Sequence, residues 1–222
     1  SLAKAGHNVV INYRNEQKQD KAQEVVDECK KYGVDAVYFK ADVSIERDCE
    51  ELVEYVLSKY GQIDVLVNNA GVVKYSLMTR MSEEEYRQVI GCNQDSVFFM
   101  MKHVSKAMSK KKKGRIINMA SMAGVQGCPG ALAYAGTKGA IIAMTKSAAK
   151  ELSARNITVN AIAPGMIETE MSDVLSDAQK NSSLNCIALR RFGMPEEVAA
   201  AVVFLASEEA GYITGEILEI HG

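Results

Sequence analysis

Neither sign of charge dominates the sequence. Lysine and arginine number 26 against 28 aspartates and glutamates, a net charge of −2. That removes any whole-molecule case for nucleic acid or an anionic membrane as partner. Long apolar runs are absent as well. No stretch approaches the roughly 18 residues needed to cross a bilayer, and the amino end lacks the pattern of a signal peptide. Histidine is scarce, and none of the three (His7, His103, His221) clusters with cysteine as a metal site would require. The five cysteines, Cys29, Cys49, Cys92, Cys128 and Cys186, are odd in number, widely spaced and without a C-x-x-C pair. This is the usage of reduced intracellular thiols. The sequons at Asn156 and Asn181 then carry no meaning, and the cytoplasm is the expected compartment.

What is present fits one soluble domain over residues 1–222, with 47% hydrophobic and 24% charged residues and no repeat, low-complexity tract or linker. Short β-branched runs alternate with longer helical patterns. Strands are expected at "VVINY" (9–13), "AVYFKAD" (36–42), "DVLVNNAG" (64–71), "RIINMAS" (115–121), "TVNAIAPG" (158–165) and "EILEI" (216–220). Helices are expected from the charged stretch before Tyr32, at "ERDCEELVEYVLSKYG", around 82–92, 95–110 and 133–153, and from Pro195 to about Ala206. Apolar strands joined by helices of this length predict a parallel sheet covered on both faces, a doubly wound three-layer α/β fold. Polar and turn residues (Asp42, Asn68 to Gly71, Ser121, Pro164–Gly165) end the strands, where ligands bind in open α/β sheets.

In "ALAYAGTKGAI" (131–141), Tyr134 and Lys138 stand four apart and share a helix face. Spacing alone decides nothing, because Tyr55 and Lys59 form a second such pair on an ordinary charged helix. The surroundings decide. "NNAG" ends one strand and "NMAS" another, Ser121 precedes Tyr134 by thirteen residues, "NAIAPGMIET" closes a third strand, and Asn93 lies in "GCNQDSVFF". Together these residues resemble the classical short-chain dehydrogenase/reductase family. "RRFGMPEEVAAAVVFLASEEAGYITGEILEIHG" resembles its 3-oxoacyl-[acyl-carrier-protein] reductase branch, and the likeness covers essentially the whole chain.

The resemblance implies a Rossmann-type fold and NADPH-dependent reduction of a carrier-bound 3-oxoacyl thioester. Tyr134 would deliver the proton, its pKa of about 10 drawn toward neutrality by the Lys138 ammonium. Lys138 would also hold the nicotinamide ribose, Ser121 would bond the substrate oxygen, and Asn93 would help hold a water-linked proton path to Lys138. Asp42 and Val43 would flank the adenine. Asn69, Ala70 and Gly71 would line the nucleotide, and Pro164, Gly165, Ile167 and Thr169 would seat the carboxamide. Gly136 and Gly139 in the same helix would allow close approach to cofactor or to a partner helix. Arg14 stands where an acidic residue would bind a free ribose 2′-hydroxyl, so NADP is expected over NAD.

"KKKKGR" (110–115) and Arg155 suggest a basic patch beside the active-site entrance, with Lys112 and Arg155 steering an acidic acyl carrier protein. The family likeness also implies a homotetramer packed through the helices near 95–110 and 133–153. The glycine-rich pyrophosphate turn and the strand before it belong ahead of "SLAKAGHNVV", and roughly two dozen residues are expected there. A hydrolase reading fails because Ser121 is not in G-x-S-x-G. Acetoacetyl-CoA, a sugar or polyol, and a hydroxysteroid stay open as substrates, as does a non-catalytic nucleotide-binding scaffold. The polar region 170–192, expected to be the substrate loop, carries no substrate signature.

Overall fold

The computed structural model describes residues 1–169 and 177–222, so part of the expected substrate loop lies outside the described residues. In chain order the elements are β1 (Val9–Tyr13), α1 (Gln19–Lys30), β2 (Ala36–Lys40), α2 (Glu46–Tyr60), β3 (Val65–Asn68) and α3 (Glu83–Ile90). A π-helical turn, Gly91–Asp95, leads into α4 (Ser96–Lys111), followed by β4 (Gly114–Met119), α5 (Met122–Gln126) and α6 (Leu132–Leu152). The chain ends with β5 (Ile157–Pro164), α7 (Asp177–Cys186), α8 (Pro195–Ala206) and β6 (Ile217–Ile220).

Every strand pairing is parallel, in the order β1-β2 and β3-β4-β5-β6. β4 and β5 are central and buried along almost their whole length, and the polar side chains they carry, Arg115, Asn118, Thr158 and Asn160, are buried with them. Adjacent Ile116 and Ile117 point to opposite faces of β4. Ile116 packs with Val97, Met101, Val104 and Met108 of α4 and Ile141 of α6, whereas Ile117 packs with Val198 and Leu205 of α8. Two helical layers thus sandwich the sheet in a Rossmann-type arrangement. The local signals agree with this. "MSEEEY" starts α3 with a capping box, in which Ser82 and Glu85 satisfy each other's backbone amides at 3.1 Å. Gly61 closes α2 in the left-handed conformation, φ 74°.

Two helices escaped the sequence reading. α5 is five residues long, too short for a periodic pattern, and α7 falls in the mostly polar region expected to be the substrate loop. The break between the two helical patterns near Asn93 is a widened turn rather than a gap.

The sheet is split between β1 and β3. A cavity of about 680 Å³ separates them, lined by Val9 to Asn12, by Val65 to Asn68, by Leu52, Val53 and Val56 of α2, and by Met100 and Val104 of α4. Its walls are two facing strands and an apolar helical floor.

Candidate active site

The carboxyl ends of the strands bring the expected residues to one side of the sheet. Ser121 follows β4 and caps α5, its Oγ accepting from the Ala123 amide at 3.2 Å. α5 lies against α6 because Gly124 has no side chain. A Cβ there would stand 2.5 Å from the Lys138 backbone carbon and 2.7 Å from the Gly139 nitrogen. That contact sets α6 beside the end of β4 and carries Tyr134 and Lys138 with it.

Lys138 is only 5% exposed. Its Nζ donates to the Met119 carbonyl at 2.6 Å and sits 5.6 Å from the centroid of the Tyr134 ring. Burial alone pulls its pKa from 10.5 to about 8. Burial also raises the pKa of Tyr134. An interaction with the Ser121 hydroxyl opposes that rise, and Tyr75 and Cys128 add to it. The expectation that Lys138 lowers the Tyr134 pKa is corrected. The ammonium is engaged by a backbone carbonyl, and desolvation of the phenol prevails.

Asn93 is fully buried in the π turn. Its Oδ1 accepts from the Val72 amide at 2.7 Å, and its Nδ2 donates to the Val72 carbonyl at 2.9 Å and to Thr137 Oγ1 at 3.1 Å. Thr137 in turn donates to the Tyr134 carbonyl at 2.7 Å. These bonds tie the loop after β3 to α6 rather than reaching Lys138. Gly71 is exposed, and a Cβ there would stand 3.3 Å from Asn93 Oδ1 and 3.6 Å from Lys138 Nζ. A backbone without side chain at this point leaves room for a flat ligand over the lysine. Asn69 and Ala70 are exposed beside it.

At the neighbouring edge, Arg14 Nε donates to Asp42 Oδ2 at 2.8 Å, and Nη1 points at Cys92 Sγ, 3.6 Å away. Burial pushes the Asp42 pKa up, but two Ser44 hydrogen bonds and Arg14 together hold it below the usual carboxylate range. Val43 packs into the core below. On the other side, Gly165 donates to the Ile220 carbonyl at 2.8 Å, and a Cβ on it would lie 2.8 Å from that of His221. Ile167 bridges to Gly193, and Thr169 ends the described stretch. The set therefore fits an extended dinucleotide. A guanidinium and carboxylate lie at one end, bare backbone and a buried ammonium in the middle, and a close-packed loop at the other.

One expectation needs correcting. Lys112 and Arg155 immediately precede β4 and β5, so they lie at the amino end of the sheet, opposite Ser121. Within one chain they do not border the site. Gly139 meets the Gly124 carbonyl, so it admits the close approach of α5, and nothing stands within 4 Å of Gly136. The sequence reading also passed over Gly124 and Thr137, although the glycine in "SMAGVQG" was visible as a small residue between strand end and tyrosine.

The buried lysine has a measurable signature. Between pH 8 and 10.5 the unfolded chain holds a proton on residue 138 that the folded chain has released, so this residue's contribution to stability rises with pH across that window. Below pH 8 both states are charged and the burial penalty is complete. Lys138→Met is therefore expected to gain on wild type by about 3 kcal/mol more at pH 7 than at pH 10.5. Urea midpoints that track in parallel across this range would exclude it.

Over residues 1–222 the chain matches the family model described as Enoyl-(Acyl carrier protein) reductase. It is 43% identical over 221 residues to the 3-oxoacyl-[acyl-carrier-protein] reductase of Staphylococcus epidermidis, covering 100% of this chain and 90% of that protein. Identity to the Thermotoga maritima protein of the same name is 48% over 173 residues, 78% of this chain and 70% of that one. The 3-oxoacyl-[acyl-carrier-protein] reductase of Synechocystis sp. is 43% identical over 223 residues, covering 100% and 88%.

Proposed function

Because the chain belongs to the short-chain dehydrogenase/reductase family, we propose that it reduces the 3-oxo group of an acyl thioester on acyl carrier protein, with NADPH, in fatty acid synthesis. The observation that carries this reading is the phenol of Tyr134 beside the Ser121 hydroxyl and over the buried Lys138 ammonium. Two hydroxyls converging on one point suit a carbonyl oxygen, which must be polarised and then protonated as the alcohol forms. The bound nicotinamide supplies the hydride. Ser121 bonds the carbonyl oxygen, and Tyr134 gives it a proton. Lys138 would hold the ribose of the cofactor, and its charge would favour the phenolate left once Tyr134 has given up its proton. Asn93 acts as a positioning residue, through Val72 and Thr137.

Arg14 supports NADPH over NADH. It already partners Asp42 at the adenine end, and a 2′-phosphate offers it a more strongly charged acceptor. The slot between β1 and β3 supports one nucleotide-binding domain completed by a further parallel strand and a glycine-rich turn.

One set of measurements tests these points together. The full-length enzyme is expected to reduce acetoacetyl-carrier protein with NADPH and to leave a crotonyl thioester, a sugar and a steroid unreduced. Arg14→Ala is expected to shrink the kcat/KM ratio of NADPH to NADH by about 10- to 100-fold, as loss of a charge-assisted pair does. Titration of NADPH into residues 1–222 alone is expected to show much weaker binding than into the extended chain. Reduction of the crotonyl thioester instead would move the reaction to the carbon–carbon double bond. Equal use of both cofactors by wild type would remove the role of Arg14, and equal affinity in the two chains would remove that of the slot.

The assembly we favour is a homotetramer packed through α4 and α6. In it, Lys112 and Arg155 could serve a carrier protein only at a neighbouring copy's site. A solution mass of one chain would end that reading.

A further inference from the structure

The loop after β3 is pinned at three places. Val72 is held by both ends of the Asn93 amide, Lys74 pairs with Glu85 at 3.1 Å, and the Ser76 amide donates to the Gly130 carbonyl at 2.8 Å. The last contact makes a parallel bridge between Ser76 and Ala131, the residue just before α6. In an extended segment Tyr75 and Leu77 flank Ser76 on the opposite side, and the bridge brings this segment alongside Ala131 and the start of α6 at Leu132. All three side chains are exposed, at 56% for Tyr75, 57% for Leu77 and 49% for Leu132. A lone exposed leucine needs no explanation, but three exposed apolar side chains on a pinned loop and the adjoining helix start form one strip. The strip begins beside the reacting group, because Ala131, the bridge partner of Ser76, precedes Tyr134 by three residues, about one helical turn. A sugar or other polyhydroxyl substrate gains nothing from such a surface.

We propose that Tyr75, Leu77 and Leu132 form an apolar strip along which the acyl chain of the substrate lies as it leaves the carbonyl site, so that these residues set chain-length preference. This rests on the 3-oxoacyl reading above and deepens it. The occupant is the acyl chain rather than a second copy of the protein, because the strip is continuous with Tyr134. A fully buried methylene is worth about fourfold in binding, and one lying on a half-exposed strip about twofold.

The test uses the full-length enzyme with NADPH and 3-oxoacyl-CoA thioesters of four, six and eight carbons, which exclude any contribution from carrier docking. Wild type is expected to raise kcat/KM about 10- to 20-fold from four to eight carbons, by twofold for each of the added methylenes. In Leu77→Ser/Leu132→Ser and in Tyr75→Ser that ratio is expected to fall below about threefold through KM, whereas Tyr75→Phe, which keeps the ring, retains it. NADPH affinity and circular dichroism report whether each variant is folded, and the affected side chains are exposed. An unchanged ratio in both serine variants overturns the proposal. So does a change in oligomeric state without a change in ratio, which would give the strip to a second copy. Failure of wild type to reduce any of the three thioesters would instead defeat the functional reading, a distinct result.

Discussion

Tyr134→Phe is expected to lower kcat for ketone reduction by about 10²- to 10⁴-fold, the usual loss when a general acid is removed, with little change in stability or cofactor affinity. The substitution deletes one oxygen and keeps the ring that Lys138 approaches. Because the missing group acts on the reacting oxygen and not on the bound cofactor, kcat and kcat/KM should fall together. Tyr75 supplies a second phenol nearby, so Tyr75→Phe is the necessary control. It does not share a helix face with Lys138, and its loss should leave kcat within about threefold, far short of what removing a general acid costs. A Tyr134→Phe enzyme retaining more than a tenth of wild-type kcat would transfer proton delivery elsewhere.

Gly124→Ala is expected to be nearly as damaging although residue 124 touches no substrate. Its new methyl group would meet the α6 backbone at Lys138 and Gly139, and backbone cannot rotate out of the way. Overpacking of this kind costs about 1–3 kcal/mol in stability. The displacement falls on the turn that carries Lys138, and a misplacement of about 1 Å in a catalytic group costs on the order of 10²-fold. Thermal unfolding and kcat should therefore worsen together. A folded, fully active variant would show that α5 can move away from α6 without disturbing the site.

Much of this was legible in the amino-acid order because strand ends are marked by chemistry as well as by periodicity. The apolar runs "VVINY" and "TVNAIAPG" placed their strands within a residue or two, and the polar residues after them placed the ligand side of the sheet. Ser121, Tyr134 and Lys138 were found because each sits at a fixed offset from such an end. Spatial polarity was not legible for Lys112 and Arg155. Their charge was visible in the sequence, yet which end of a parallel sheet they occupy depends on the helices before them and the strands after them. The state of Tyr134 was also hidden, since a pKa balances burial against charge and burial is a property of the folded chain. Asn93 was recognised, but the partners of its side chain were not. Nothing in "GCNQDSVFF" announces that its amide will be consumed by Val72 and Thr137.

The widened turn at Gly91–Asp95 has a consequence for how freely this site can change. Val89 and Val97 are both buried and stand eight positions apart, roughly 80° out of phase on an unbroken α-helix. Absorbing one residue in the π turn brings them to within roughly 20° of each other, so Val89 of α3 and Val97 of α4 are buried on the same side of the helical run. The extra residue thus corrects the phase of the helix on either side while Asn93 projects inward on its own account. Packing and chemistry are uncoupled at this point: the amide at 93 could be exchanged for another group without rotating Met100, Met101 or Val104 out of the core. Deleting a single residue here would do the reverse, keeping the side chains' identities while turning a whole face of α4 toward water.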